Sequence, residues 1–158
     1  MTIEEIAAAL TQSQEGFLAL LEQFSQESLH KQQATEPWTP AVIMLHMCEA
    51  RAHYAGDVNK LVDSDFTEVV GRSTDDPGRL AMIARAAAGS IESDAIRTQL
   101  LSSFAEMMAA VHRVEATMMN RPVQIVRPDF PDMTCADFLT RFLVGHHRLH
   151  VDQLAALV

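Results

Sequence analysis

Apolar side chains recur at helical spacing along most of this chain. The first helix has one apolar face, formed by residues three, four or seven positions apart: Ile3, Ile6, Leu10, Phe17, Leu21 and Phe24. Thr2 precedes this face as an N-cap residue, and Glu5 three positions later completes a capping box. The polar stretch SQESLHKQQATEP then ends the predicted helix.

A second helix is predicted to begin in the stretch WTPAV. Thr39 is placed to cap it, and Pro40 takes the first helical position, where a missing N–H costs nothing. This helix is predicted to run to about Leu61. The acidic segment that follows contains glycine and proline and is typical of a loop. After it, the stretch RLAMIARAAAG predicts a short helix that ends at Gly89.

The second half of the chain predicts two further helices. The third runs from about Ser93 to Met118 and has a long apolar stripe: Ile96, Leu100, Phe104, Met107, Val111, Val114 and Met118. The stretch NRPVQIVRPDFPD has three prolines and cannot be helical, and its segment VQIV is interpreted as a loop and not a strand. The fourth helix opens at Thr134, with Asp137 at the third helical position, and runs to the C-terminus.

Four long helices with little strand predict an all-α four-helix bundle, with a short extra helix and a single domain spanning residues 1–158. The connection between the second and third helices, about 30 residues long, exceeds what a tight hairpin needs. We therefore expect a long crossover connection and not a plain up-down-up-down order.

Charge narrows the range of partners. The chain has 12 Lys+Arg and 21 Asp+Glu, a net charge of −9, which argues against nucleic-acid and anionic membrane surfaces as partners. The start, MTIEEIAAAL, lacks the basic region of a signal peptide, so the predicted location is cytoplasmic. Cys48 and Cys135 are too few for a disulfide framework and are interpreted as small buried thiols.

Two helical stripes begin apolar and turn polar. One, on the fourth helix, consists of Leu139, Leu143, His146, His150, Gln153 and Leu157, and the other, on the second helix, consists of Val42, His46, Glu49 and His53. An unsatisfied polar group inside a bundle costs roughly 1–3 kcal/mol. The two stripes must therefore hydrogen-bond to each other, line a water-filled pocket or bind a metal.

Imidazole is a good ligand for Zn²⁺, Ni²⁺ or Fe²⁺, and three imidazoles with an open position are typical of a catalytic site. The candidate ligands are His46, from the stripe of the second helix, and His146 and His150, from that of the fourth. His146 and His150 lie one helical turn apart, so both rings can reach one metal ion. Glu49 and Gln153, one turn after a ligand, are expected to support the ligands or to touch a metal-bound water.

The other polar and aromatic residues have simpler interpretations. His147 is either solvated or caps a neighbouring carbonyl, and His53 is a pocket-lining or surface residue and not a fourth ligand. His30 and His112 lie outside the stripes and are expected on the surface. Trp38 is expected to pack where the second helix begins.

Two motifs together resemble the DinB/YfiT-like superfamily of four-helix metalloproteins. WTPAVIMLH, from Trp38 to His46, resembles that family's W-[ST]-P…H motif, and HHRLHVDQ resembles its H-x-x-x-H-x-x-Q segment in the last helix. The resemblance implies a divalent metal held by His46, His146 and His150. Many relatives have a carboxylate five residues after the first histidine, where this chain has Arg51 and the nearby acid is Glu49.

The resemblance also implies a function class. Characterised relatives include transferases and isomerases that use a low-molecular-weight thiol as cosubstrate. A metal on neutral ligands stabilises a bound thiolate or hydroxide, and Glu49 or His53 is the candidate for proton handling. Three hypotheses remain open: a thiol-dependent enzyme acting on a small-molecule substrate, a metal-dependent hydrolase, and a non-catalytic metal- or small-molecule-binding stress protein. A homodimer is also compatible with the apolar faces.

Overall fold

The computed structural model describes residues 1–34, 36–127, 130 and 133–158. Its α-helices are α1 (Ile3–Leu21), α2 (Gln26–Leu29), α3 (Pro40–Asp63), α4 (Pro77–Ala88), α5 (Ser93–Val111), α6 (Cys135–Phe138) and α7 (His146–Ala155). A π-helical segment, Leu139–Gly145, joins α6 to α7, so that these three pieces form one continuous last helix. The predicted all-α class is confirmed.

The helix starts follow the predicted capping residues. The Thr2 side chain accepts a hydrogen bond from the backbone N–H of Glu5, whose carboxylate accepts one from the backbone N–H of Thr2. Thr39 caps α3, and Pro40 is its first residue. Thr134 caps the last helix and forms the second capping box of the chain with Asp137. Each cap satisfies backbone donors that the first helical turn leaves without partners.

Two apolar clusters show how the helices are oriented. One contains the first half of α1, the start of the last helix, and the C-terminal halves of α3 and α5. The other contains the opposite ends of the same helices. Thus α1 and the last helix run one way, while α3 and α5 both run the other. Two neighbouring parallel helices need a crossover, and the long connection that carries α4 provides it, as predicted.

A polar layer separates the two apolar clusters. It consists of one buried side chain from each main helix: Gln14 on α1, Arg51 on α3, Ser103 on α5 and His147 on α7. The amide of Gln14, the guanidinium of Arg51 and the hydroxyl of Ser103 all donate to the backbone carbonyl of Leu100. The layer therefore satisfies most of its hydrogen bonds internally, as buried polar groups require.

Several sequence predictions differ from the structure. The first helix ends at Leu21, before Phe24, and the last ends at Ala155, before the C-terminus. The third helix ends at Val111 and not at Met118, because the chain turns there to bury both Val111 and Val114, while Arg113 binds Asp63 at the end of α3. A 3₁₀ turn, Ala116–Met118, follows.

The VQIV segment is not purely a loop. Strand β1 (Pro122–Val123) pairs antiparallel with β2 (Met133–Thr134), and Ile125 forms a parallel bridge with Val70. These pairings satisfy backbone groups of a proline-rich stretch that cannot form a helix. They also hold the segment after α3 against the segment before the last helix.

Candidate metal centre

The imidazole rings of His46, His146 and His150 converge between α3 and α7. The Nε2 atom of His146 lies 3.3 Å from that of His46 and 2.9 Å from that of His150. One nitrogen from each of the three rings falls within 4.8 Å of the other two. The two predicted stripes therefore do meet, and they meet at their histidines.

The environment keeps these rings neutral. Burial lowers the pKa of His46 to about 3, with further lowering from the charges of His150 and Arg79. Burial likewise lowers the pKa of His146 to about 3, and it lowers the pKa of His150. A neutral imidazole has a free lone pair on one nitrogen, which is the form that binds a metal.

Hydrogen bonds at the Nδ1 atoms orient two of the rings. Nδ1 of His150 lies 2.6 Å from the amide oxygen of Gln153, which only accepts, so Nδ1 carries the proton and Nε2 keeps its lone pair. Nδ1 of His146 lies 3.1 Å from the Tyr54 hydroxyl. Nδ1 of His46 has no hydrogen-bond partner among the residues that the structure describes and lies 4.0 Å from the Glu49 carboxylate. Partners of this kind are typical of metal-binding histidines.

The donor set fits a divalent cation. Zinc–nitrogen distances of about 2.0–2.1 Å in a tetrahedral site separate the ligand nitrogens by about 3.3 Å. The separation of the Nε2 atoms of His46 and His146 matches this value, and that of His146 and His150 is slightly shorter. The three ring nitrogens all lie within 4.8 Å of one another, close enough to share one cation. These residues can therefore hold a metal with a fourth position free.

Trp38 covers one side of the histidine cluster. Its ring lies edge-on to His46 with centroids 5.0 Å apart and stacks on His150 at 6.2 Å. Sequence analysis assigned Trp38 only to packing at the start of α3. Its position means that it also shields two candidate ligands from water.

His147 points away from the cluster and into the polar layer. It is fully buried, its Nε2 accepts from Nε of Arg51 at 2.9 Å, and its Nδ1 donates to the Leu143 carbonyl at 2.6 Å. Of the two predicted alternatives, the solvated one is wrong and the carbonyl contact is confirmed. Burial, together with the charge of Arg51, lowers the pKa of His147 to about 3.

Glu49 and His53, the candidates for proton handling, have different surroundings. Both carboxylate oxygens of Glu49 accept hydrogen bonds from the guanidinium of Arg72, which also lies 3.7 Å from Asp76. His53 is half-buried, and its Nε2 lies 3.1 Å from Oδ2 of Asp57. The same Asp57 oxygen accepts from the backbone N–H of Gly71. Glu49 is thus held in an ion pair, whereas His53 faces a pocket.

The pocket beside the histidines has a volume of about 370 Å³. Its described lining includes His46 and His146, with His53, Tyr54 and Asp57 on the α3 side. The apolar residues of the lining are Ile125, Phe130, Phe138, Phe142 and Leu149, and its arginines are Arg72, Arg79, Arg127 and Arg141.

Neither Tyr54 nor the pocket arginines were predicted from the sequence. Tyr54 lies eight residues after His46 on the same face of α3, so helical spacing could have revealed it. Arg72 and Arg79 come from the crossover connection, where no periodicity indicates which side chains face the pocket.

The remaining predicted positions divide between surface and interior. His112 is exposed, as predicted, but His30 is half-buried and contacts the carbonyl of Ile91 at 2.9 Å, so the surface prediction for it is partly wrong. Cys48 and Cys135 are free and buried, as predicted. Burial raises the pKa of the Cys135 thiol to about 11.

None of the helices that the structure describes is both long and apolar enough to cross a membrane.

Comparisons with known proteins agree on the fold. The family model of the DinB superfamily matches residues 9–154. A search of curated protein sequences gives no match. A mycothiol-dependent maleylpyruvate isomerase has a similar structure, with a TM-score of 0.75 and 14% identity over 98% of this chain. The chain spans only 61% of that isomerase, and at this identity the likeness shows the fold alone.

A second solved structure widens the functional range of the fold. The colibactin self-resistance protein ClbS, in complex with dsDNA, has a TM-score of 0.72 and 11% identity, with 99% of this chain and 95% of ClbS covered. A protein of this fold is therefore seen with DNA. The exclusion of nucleic acid for this chain rests on its charge and stays a prediction.

Proposed function

Because the chain belongs to the DinB superfamily and brings three neutral imidazoles together beside a pocket, we propose that it is a divalent-metal protein that performs metal-dependent chemistry on a small molecule. The observation that carries the proposal is the convergence of the Nε2 atoms of His46, His146 and His150. The donor set suits Zn²⁺, Ni²⁺ or Fe²⁺.

The residues around the ligands have defined tasks in this proposal. Gln153 and Tyr54 fix the rings of His150 and His146 through their Nδ1 atoms, and Trp38 excludes water from one side. A divalent cation on neutral ligands keeps its full charge and so lowers the pKa of a thiol or water bound to it. The open side of the cluster faces the pocket, where a substrate has room.

We assign proton handling to His53 and a positioning role to Glu49. His53 lines the pocket and its Nε2 contacts Asp57, which suits a group that takes up and returns a proton. Glu49 has both oxygens occupied by Arg72, so its carboxylate is better placed to hold Arg72 beside His46 than to accept a proton.

Thiol-dependent transfer or isomerisation is the reaction type that we propose. The support is the similarity to an isomerase named as mycothiol-dependent, together with a site that suits a thiolate. A low-molecular-weight thiol is then the cosubstrate, and hydrolysis is the alternative. We also propose that residues 1–158 act as one domain, because the last helix packs on both α1 and α3.

The test is the metal content of protein purified without an affinity tag, by mass spectrometry. We expect about one equivalent of zinc, nickel or iron in the parent, and its loss in His46→Ala, His146→Ala and His150→Ala. His112→Ala is the matched control, because His112 is exposed and remote from the cluster. Circular dichroism shows that each variant is folded. A parent that is empty and takes up no added metal refutes the proposal.

A second measurement separates the two reaction types. In cobalt-substituted protein, a thiol that binds the metal changes the visible absorption, and we expect this change with a low-molecular-weight thiol. No change with any thiol, combined with chelator-sensitive turnover of esters or amides, favours hydrolysis instead.

A further inference from the structure

The pocket and the whole chain have opposite charges. The chain has a net charge of −9, yet the described lining of the pocket contains four arginines and one carboxylate, that of Asp57. A concave site whose walls have one sign of charge concentrates ligands of the other sign.

Two of the four arginines form no salt bridge with a carboxylate in the described part of the chain. Arg72 is paired with Glu49 and Asp76. In contrast, within residues 1–34, 36–127, 130 and 133–158 no carboxylate oxygen lies within 4 Å of the guanidinium of Arg79 or Arg141. These two side chains therefore bring uncompensated positive charge to the pocket.

Local contacts hold these two guanidinium groups at the pocket. Arg79 is in the first turn of α4 and donates to the Thr74 carbonyl at 2.8 Å. Arg141 is in the π-helical segment, and its guanidinium lies 4.6 Å from the centroid of the Phe130 ring. A guanidinium presents five donors in a fixed fork, so each group retains donors for a ligand.

Apolar side chains form another part of the lining. Phe138 and Phe142 are in van der Waals range of each other, with ring centroids 5.4 Å apart, and Ile125 and Leu149 extend the apolar wall. A ligand that matches the site has one or two anionic groups and an apolar body. At about 370 Å³ the pocket is at the small end of the roughly 300–1,000 Å³ typical of small-molecule sites.

We propose that this pocket binds a small organic acid, whose carboxylate pairs with Arg79 and Arg141 and whose apolar body lies against Phe138 and Phe142. The carboxylate matches the guanidinium fork in geometry as well as charge. A nucleic-acid duplex does not enter a concavity of this size, and the overall negative charge of the chain repels it. As a substrate class the inference rests on the proposed function, but the binding itself needs only the arginines.

The experiment measures binding to metal-free protein, so that a carboxylate cannot bind through a metal. Metal is removed with 1,10-phenanthroline, an uncharged chelator, which is then dialysed away into Tris chloride. Calorimetric titrations compare benzoate with its neutral analogue benzamide, and succinate with succinamide. We expect each acid to bind at least tenfold more tightly than its amide, with the preference falling as salt is raised.

Variants locate the site. We expect Arg79→Met and Arg141→Met each to weaken binding of the acids about tenfold and to leave binding of the amides unchanged. Arg85→Met on α4 and Arg148→Met on α7 are the matched controls, because both residues are exposed and outside the lining. Equal binding of acid and amide, or an unchanged affinity in both pocket variants, overturns the inference.

The outcome is independent of the metal test. Acid binding that is lost in Arg79→Met and Arg141→Met supports the inference even if the parent never binds a metal. Metal binding without any preference for acids leaves the metal centre in place and overturns only the acid site. A labelled DNA duplex is titrated in parallel, and duplex binding that depends on Arg79 and Arg141 and is not displaced by benzoate or succinate also overturns it.

Discussion

Replacing Gln153 tests whether the hydrogen bonds behind the histidines shape the metal site. In Gln153→Met the side chain keeps its length but loses the oxygen that accepts from Nδ1 of His150 at 2.6 Å. His150 is only 6% exposed, so water is a poor replacement. We expect the ring to lose both its orientation and the fixed position of its proton.

The expected magnitude follows from two general values. Removing a hydrogen-bond partner of a metal-binding histidine lowers metal affinity about 10- to 100-fold, which is roughly 1.4–2.7 kcal/mol. A buried donor left without a partner costs about 1–3 kcal/mol of folding free energy. The variant is therefore expected to bind zinc about 10- to 100-fold more weakly and to melt at a lower temperature without metal.

The assay is competition for zinc with a chromophoric chelator, with thermal melts of the metal-free proteins alongside. Gln153→Glu keeps the acceptor and adds a negative charge, so it should bind zinc at least as tightly as the parent. Asp152→Ala, an exposed neighbour on α7, controls for changes to the helix. If Gln153→Met binds zinc within about threefold of the parent, the argument from ring orientation is wrong.

Three further predictions concern the fold. Gly71 has φ +89, and an added Cβ would lie 3.2 Å from Cγ2 of Ile125, so Gly71→Ala should lower the free energy of unfolding in urea by about 1–3 kcal/mol. At Gly56 on α3 no atom of the described residues lies within 4 Å of an added Cβ, so Gly56→Ala should raise that free energy by about 0.5–1 kcal/mol. Equal effects of the two substitutions would contradict this reasoning. Leu10 is fully buried, so Leu10→Ala should cost about 2–5 kcal/mol, and a loss well below that range would mean that the core relaxes around the cavity. Burial raises the pKa of Cys135 to about 11, so at pH 8 Ellman's reagent should leave this thiol unmodified in the folded protein and modify it in urea. The reactivity of the folded protein should rise only as the pH approaches that pKa, and fast reaction of its Cys135 at pH 8 would contradict the prediction.

Much of the bundle was predictable because local rules and tertiary packing agree. Thr2, Thr39 and Thr134 mark helix starts that the structure repeats. The polar stripes identified His46 and His150 because a helix of regular spacing places them on buried faces. The proximity of His46 to the last helix was not a consequence of either stripe alone. It depends on α3 and α7 packing together, which was inferred because two buried polar stripes need partners, and which the family resemblance also implies.

The sequence did not distinguish two stripes on the last helix. Leu143, His147, His150 and Leu154 are spaced four, three and four residues apart, just as regularly as the stripe through His146. The stripe through His147 is buried and the stripe through His146 is partly buried, because one face of this helix meets α3 at the pocket while the other meets α1, where His147 lies edge-on to Phe17. Periodicity indicates a buried face but not how wide that face is.

The buried Arg51 links the fold to the candidate site. Burial lowers its pKa to about 10, so the guanidinium stays charged at neutral pH without a carboxylate beside it. The rings of Phe17 and Phe104 flank it at 5.2 and 5.5 Å and compensate part of the lost hydration. Its Nη2 has no hydrogen-bond partner among the described residues. Its other hydrogen bonds go to His147 and to the Leu100 carbonyl.

Those contacts determine the state of His147 and, through it, the geometry of the last helix. Nε of Arg51 only donates, so Nε2 of His147 must accept, and the single imidazole proton must be on Nδ1, which donates to the Leu143 carbonyl. That carbonyl belongs to the π-helical segment that leads directly into His146. The polar layer therefore contacts the last helix at the point where the candidate ligands begin, and a hydrogen-bonded path runs from the Arg51 guanidinium through His147 to the turn before His146.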